Sequence, residues 1–373
     1  MKRITSIDAL RNFANITRCF IHASIPYMVT KAPIWPVDDK GSWFFDFVIF
    51  ENHLFVMELF FTISGFIFAI QMNLNPTRKV VANILKRILL PFSLGLLIIV
   101  PVVLSLFSLS QYPGFTFFDF QIIQKSYLSG WNLAFENFFP TAHLWYLYYL
   151  LIFYLFTLLV KNYFSWSSSI SVSKIIVLGI SISTTCMFFM DRWLVDNPLT
   201  MLPEIPSLLH FYFFFVLGMV IYNSPRILDN LKKNNKRILA LGILFAVAAV
   251  IPQVWFGQID LHYYLFIKVI AVVLYCSASH LLVLGLLGVF TSYPIRESKL
   301  LRYFTDASYW IYLSNMPIVA LFQIALIPVE ISVYYKFLIS FFGALMFSLL
   351  SYELLVRYTM IGKILNKKRK RHL

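Results

Sequence analysis

Ile88-Leu89-Leu90-Pro91-Phe92-Ser93-Leu94-Gly95-Leu96-Leu97-Ile98-Ile99-Val100-Pro101-Val102-Val103-Leu104-Ser105-Leu106-Phe107 runs for twenty residues without an ionisable side chain. At about 1.5 Å of rise per residue, a helical run of this length crosses the ~30 Å hydrocarbon core of a bilayer. Apolar runs between clusters of charge, Pro, Gly and Asn recur along the chain and predict spans near 4–30, 43–72, 80–108, 141–160, 173–191, 206–223, 237–256, 263–290, 302–327 and 331–357. Hydrophobic residues make up 60% of the 373 and charged residues 13%, against roughly 45–50% and 25% in soluble domains. The expected fold is an all-α, polytopic membrane bundle of about ten transmembrane helices. Residues 1–357 read as one transmembrane domain and 358–373 as a basic tail drawn to anionic lipid.

The basic residues set the orientation. Of 31 Lys and Arg, 21 fall on the side of the first residue, 5 on the opposite side and 5 within spans, which by the positive-inside rule places both termini in the cytoplasm. That distribution also excludes nucleic acid as the partner of a chain with net charge +14; the partner is the lipid bilayer. The chain begins Met1-Lys2-Arg3, but Asp8, Arg11, Arg18 and His22 spoil a cleavable signal, and the first helix is expected to be retained. Cys19, Cys186 and Cys276 lie in apolar runs and read as packing residues, with neither a disulfide framework nor a metal site. The segment 111–140, rich in Phe and containing Trp131, reads either as a re-entrant or interfacial piece or as an ordinary loop.

Ionisable groups inside a bilayer cost several kcal/mol unless they face protein or water. Asp8, Arg11, Asn15, Arg18 and His22 recur at spacings of 3, 4, 3 and 4 and share one stripe of the first helix. Arg11 and His22 are offset by only about 20° and separated by roughly 16 Å of rise. A permanent cation on the cytoplasmic half suits a phosphate-bearing ligand, and a neutral histidine deeper in can take a proton from a hydroxyl. The bland alternative is an ion network of Asp8 with Arg11 or Arg18 and Glu51 or Glu58. On the second helix stand Asp46, Glu51, His53 and Glu58, one carboxylate being a candidate to hold His22 in its working tautomer. Ser64 and Gly65 permit close helix approach. Arg78, Lys79, Lys86 and Arg87 form a cationic mouth, where Lys86 and Arg87 either bind phosphate or snorkel. His143 opens the fourth helix beside aromatics, and Lys268, His210, His280, Asp306 and Asn315 are further intramembrane polar groups without assignable partners.

Six pieces in order carry a resemblance: Arg11 and His22; Phe60-Phe61-Thr62-Ile63-Ser64-Gly65-Phe66; Lys86-Arg87 followed by Pro91; His143-Leu144-Trp145-Tyr146-Leu147; Phe214-Phe215-Val216-Leu217-Gly218; and Ala307-Ser308-Tyr309-Trp310-Ile311-Tyr312-Leu313-Ser314-Asn315-Met316-Pro317. Together the chain resembles the acyltransferase 3 family of bacterial membrane proteins, nearest in look to its glucan-biosynthesis protein C type. The resemblance implies transfer of an acetyl or succinyl group from cytoplasmic acyl-CoA to a hydroxyl of an extracytoplasmic glycan, in the bacterial inner membrane and without a metal. It implies a catalytic role for His22, with Arg11 as partner and Lys86 and Arg87 on coenzyme A phosphates. Arg18 and Ser64 join the ligand-binding candidates, and His143 the catalytic ones. Two departures stand out: Asn315 where the family often has His, and adjacent Lys86-Arg87 where it commonly has two arginines three apart. The rival readings are a secondary transporter or glycan flippase, and an inactive scaffold.

Overall fold

The computed structural model describes residues 4–32, 34–112, 119–136, 140–162, 171–191, 193–195, 197–198, 200–254 and 261–365. Their regular structure is helical throughout: α1 Thr5–Ser24, α2 Trp43–His53, α3 Val56–Leu74, α4 Thr77–Ile84, α5 Leu90–Leu109, α6 Phe120–Glu136, α7 Trp145–Val160, α8 Val172–Phe188, α9 Ile205–Asn223, α10 Pro225–Val254, α11 Leu261–Ser292, α12 Lys299–Leu326, α13 Val333–Ser351 and α14 Met360–Leu365. Eight rods are long and apolar enough to cross a bilayer: Trp43–Leu74, Thr77–Leu109, Ala142–Val160, Ile205–Asn223, Pro225–Gln253, Tyr263–Ser292, Lys299–Leu326 and Val333–Val356. The rod α2–α3 is broken at Leu54 and Phe55, while α4 passes into α5 through a π-helical turn, Leu85–Leu89. The basic tail beyond residue 365, like Lys2, Arg3 and Arg192, lies outside the described residues.

The centre of the bundle is the seam between α1 and α12. Arg11 Nη2 donates to Thr305 O (3.0 Å), Asn12 Nδ2 to Thr305 Oγ1 (2.9 Å), Asn15 Nδ2 to Ser308 O (3.2 Å), and His22 Nδ1 lies 3.3 Å from Asn315 Oδ1. The sequence separation along these rungs stays at 293 or 294, so the two helices run parallel and in register. Ser298 caps the start of α12 by accepting from Leu301 N (3.0 Å), satisfying one of the donors that every helix N-terminus leaves free.

Parallel pairing carries information on topology, because helices pointing the same way are separated by an odd number of crossings. Helices α3 and α9 are also parallel: Glu58 meets His210, Phe61 meets Phe211, and Asn73 meets Asn223. So are α7 and α9, through Tyr149 with Glu204 and Thr157 with Tyr212. All three pairs have the required parity only when α8, at 17 residues shorter than the other rods, crosses as well. Helices α1 and α8 thus pack with the eight apolar rods in one bundle.

The segment read as a re-entrant piece or a loop contains a regular helix. Ser105 Oγ donates to Tyr127 O (3.4 Å), Leu144 packs on Gly95, Phe92 stacks on Tyr148 (6.1 Å), and Lys161 Nζ donates to Thr77 Oγ1 (2.6 Å). Helices α6 and α7 therefore lie end to end, antiparallel to the α4–α5 rod. Residues 113–118 and 137–139 lie outside the described residues. The joint between the two helices holds Ala142 at φ 44°, left-handed backbone that a non-glycine residue adopts only where its surroundings impose it.

Two glycines set the α3–α9 crossing. A Cβ at Gly65 would fall on the Phe215 carbonyl, and one at Gly218 on the Thr62 carbonyl. These are backbone atoms, so no rotamer change relieves the clash. Gly65→Ala is expected to lower stability by about 1–3 kcal/mol, read as the shift of thermal unfolding in detergent. An unchanged midpoint would mean that the crossing is looser than the contact implies.

Candidate active site

The upper rungs of the α1–α12 seam build the site. His22 follows Arg18 by four residues and Asn15 by seven, so all three project on the stripe that faces α12. Since Asn315 Oδ1 only accepts, His22 donates to it from Nδ1 (3.3 Å), leaving Nε2 with its lone pair. The ring is held from behind as well: Trp35 lies 5.8 Å from it, Trp35 Nε1 donates to Gln323 Oε1 (3.0 Å), and Gln323 Nε2 donates to the His22 carbonyl (2.9 Å). Imidazole, amide and indole form a connected set that holds the ring in one orientation.

One turn below, Arg18 is buried, 4% exposed. Its Nη2 donates to Asn15 Oδ1 (3.1 Å) and its plane lies 4.8 Å from the centre of the Tyr312 ring, a cation–π contact in desolvated surroundings. Tyr312 OH in turn donates to the His143 carbonyl (2.7 Å). His143, at the joint of α6 and α7, donates from Nε2 to Leu313 O (3.1 Å), so its buried Nδ1 is an unprotonated acceptor. That atom has no partner among the described residues. Tyr312 thus bridges Arg18 and His143, its ring 4.8 Å from the guanidinium and 5.8 Å from the His143 ring. Irregular backbone inside a membrane protein persists only where protein or a water-lined space satisfies it, and here Tyr312 satisfies it.

The remaining candidates stand around this centre. Ser64 is hydrogen-bonded to Tyr146 OH (2.5 Å), and Tyr146 packs 5.9 Å from Tyr312. Arg11 lies two turns from Arg18, half-buried, bonded to Thr305 O and 3.9 Å from Asp8. Beside it an open surface dimple of about 10 Å³, room for one water, is lined by Thr5, Asp8, Glu297, Leu301, Arg302 and Thr305. Lys86 is exposed and Arg87 half-buried in the π-helical turn, a distortion frequent at functional sites. The turn is tied to the centre through Tyr309, whose hydroxyl donates to Arg87 O (2.8 Å) and whose ring stacks on Tyr312 (6.3 Å). The structure thus gathers His22, Arg18 and His143 and leaves Arg11, Lys86 and Arg87 toward the end of the bundle where α1 starts.

Two expectations need correcting. The carboxylate expected to orient His22 is elsewhere: Glu58 Oε1 accepts from His210 Nε2 (3.2 Å), both residues fully buried, and an asparagine does the orienting instead. Of the ion network, Asp8 pairs with Arg11, while Glu58 is engaged by His210 and Arg18 has no carboxylate beside it among the described residues. Other partners fall into place, Lys268 Nζ donating to Met190 O (2.8 Å) and His280 Nδ1 to Cys276 O (2.8 Å). Trp35 and Gln323 were not singled out by sequence reasoning, although a signal for the facing helix existed: Thr305, Ser308, Tyr312 and Asn315 repeat the 3, 4, 3 spacing of the α1 stripe. No group of three or more His, Cys, Asp or Glu able to hold a metal converges among the described residues.

A polytopic helical protein with a histidine oriented by an amide at its core is a membrane protein with a candidate active site. The chain belongs to the acyltransferase 3 family: the family model, described as an acyltransferase domain, matches residues 4–353. It is a membrane acyltransferase. No curated protein and no solved structure matches it.

Proposed function

We propose that the protein moves an acetyl or succinyl group from cytoplasmic acyl-CoA to a hydroxyl of an extracytoplasmic glycan. The observation that supports this most is the orientation of His22, whose Nδ1–H is committed to Asn315 and whose Nε2 is free to accept the hydroxyl proton. A histidine held in one tautomer by an amide or carboxylate is the arrangement of a general base. Arg11, Lys86 and Arg87 supply positive charge for the coenzyme A phosphates, and the acceptor reaches the site past Trp35 and the α6–α7 joint. His143 Nδ1 is a second acceptor facing the same centre. In this reading the charge asymmetry puts both termini in the cytoplasm of a bacterial inner membrane, with residues 1–357 as a single catalytic domain and the tail on anionic lipid.

The broken rods α2–α3 and α6–α7 favour one other reading, a transport path for a glycan, since transporters place helix breaks at their binding sites. Release of free coenzyme A thiol separates the two. Purified protein supplied with acetyl-CoA or succinyl-CoA and glycan is expected to release thiol and label the glycan. Glycan movement without thiol release from either donor would turn the assignment to transport.

A further inference from the structure

Arg18 is a permanent charge held inside the bundle without a counter-ion among the described residues. Beyond Asn15 Oδ1 its Nη2 touches only Cys19 Sγ (4.0 Å), and among the described residues its Nε and Nη1 have no acceptor. A buried guanidinium without an anion is costly, and the charged tyrosine-face contact with Tyr312 offsets only part of that cost. A second orphan lies one turn along: Asn315 Nδ2, in a residue 1% exposed, has no acceptor among the described residues, while Oδ1 of the same amide holds His22. The parallel register puts these groups on adjoining rungs, Arg18 opposite Tyr312 and His22 opposite Asn315. Unsatisfied buried donors clustered about a free base call for an acceptor that arrives with the substrate.

We propose that Arg18, through Nε and Nη1, and Asn315, through Nδ2, bind the carbonyl oxygen of the acyl group and hold the oxyanion that forms on it. The inference rests on the acyl-CoA reading above. The acceptor hydroxyl oxygen bonds to the thioester carbon as its proton passes to His22 Nε2. The carbonyl π pair moves onto the oxygen that Arg18 and Asn315 hold. Collapse reforms the C=O bond and breaks the C–S bond, and the sulfur leaves with the proton from His22 as free thiol, restoring the neutral base. Donors fixed before the reaction, in a site shielded from water, stabilise the charge where it develops without reorganising. The seam geometry gives Arg18 this task and leaves the phosphates to the cations nearer the start of α1.

The test separates oxyanion binding from coenzyme binding and from a merely structural role. Thiol release by wild type, Arg18→Gln, Arg18→Lys and Asn315→Asp is measured over a range of acetyl-CoA, alongside binding of coenzyme A, which has the phosphates but no carbonyl. Asn315→Asp keeps an oxygen for His22 Nδ1–H and removes the Nδ2–H donors. Arg18→Gln and Asn315→Asp are each expected to lower kcat by about 10²–10³-fold with coenzyme A affinity unchanged, and Arg18→Lys to fall between. Unchanged kcat in both, or a weakening of coenzyme A binding that accounts for the whole loss, overturns the inference. A thermal midpoint taken for each variant excludes misfolding, and where Arg18→Gln does not fold, Asn315→Asp alone decides. Wild type that binds no coenzyme A and releases no thiol removes the acyl-CoA reading itself, an outcome distinct from active wild type with indifferent variants.

Discussion

Replacing His22 by alanine is expected to lower turnover by about 10²–10⁴-fold, the usual contribution of a positioned general base, while the protein stays folded. The loss falls on kcat, because in the proposed role His22 takes a proton only as the new bond forms. Folding survives because the side chain is half-buried and makes a single hydrogen bond, and its backbone carbonyl keeps the bond from Gln323 Nε2. Thiol release and thermal unfolding on the same preparation check both halves. Near wild-type turnover in His22→Ala would remove His22 from the mechanism and direct attention to His143, whose free Nδ1 is the other base at the centre.

The largest effect on stability is expected at Lys336. Its Nζ lies 2.5 Å from Asp38 Oδ2 and also donates to Ile327 O (3.2 Å), with both charged residues 3% exposed. Asp38 is bound from several sides: its Oδ1 accepts from Lys40 N (3.1 Å), and its carbonyl accepts from Lys31 Nζ (2.6 Å). Lys336→Ala strands this carboxylate in the interior, at a cost of about 3–5 kcal/mol. An apolar pair, Lys336→Met with Asp38→Leu, is expected to recover most of the loss, because two well-packed apolar groups leave no charge unpaired. Thermal unfolding of the single and double variants measures the difference; equal losses in both would show that packing, not charge, dominates there. The ion pair also anchors the loop that brings Trp35 against His22, so Lys336→Ala is expected to reduce activity as well as stability.

The periodicities of the chain made much of this legible. Uncharged runs marked the rods because a bilayer admits little else, and the 3, 4, 3, 4 stripe identified α1 as an interior helix with His22 and Arg18 on the face that meets α12. Other features required knowing which helices meet. Asn315 stands 293 residues from His22, and no local pattern distinguishes it from Glu58 as the orienting group; only the parallel register of α1 and α12 does. Helix α6 was obscure because its apolar residues suit an interface as well as a rod, and its role comes from lying in line with α7. Asp38 reads as a loop charge and Lys336, near the start of the last span, as a charge on the outer side, since sequence does not report that the connection carrying Asp38 folds inward to meet it.

The register of α1 with α12 also bears on how the protein is made. The polar stripe of α1 finds its partners almost three hundred residues later, and at a synthesis rate of about 5–20 residues per second the first helix waits roughly 15–60 s for them. Throughout that interval Arg18, in the interior of α1, lacks α12, and a charge near the bilayer centre opposes insertion by about 2.5–3.5 kcal/mol. The stripe is made nearly three hundred residues before the helix that satisfies it, so the α1–α12 seam closes only after the helices between them exist.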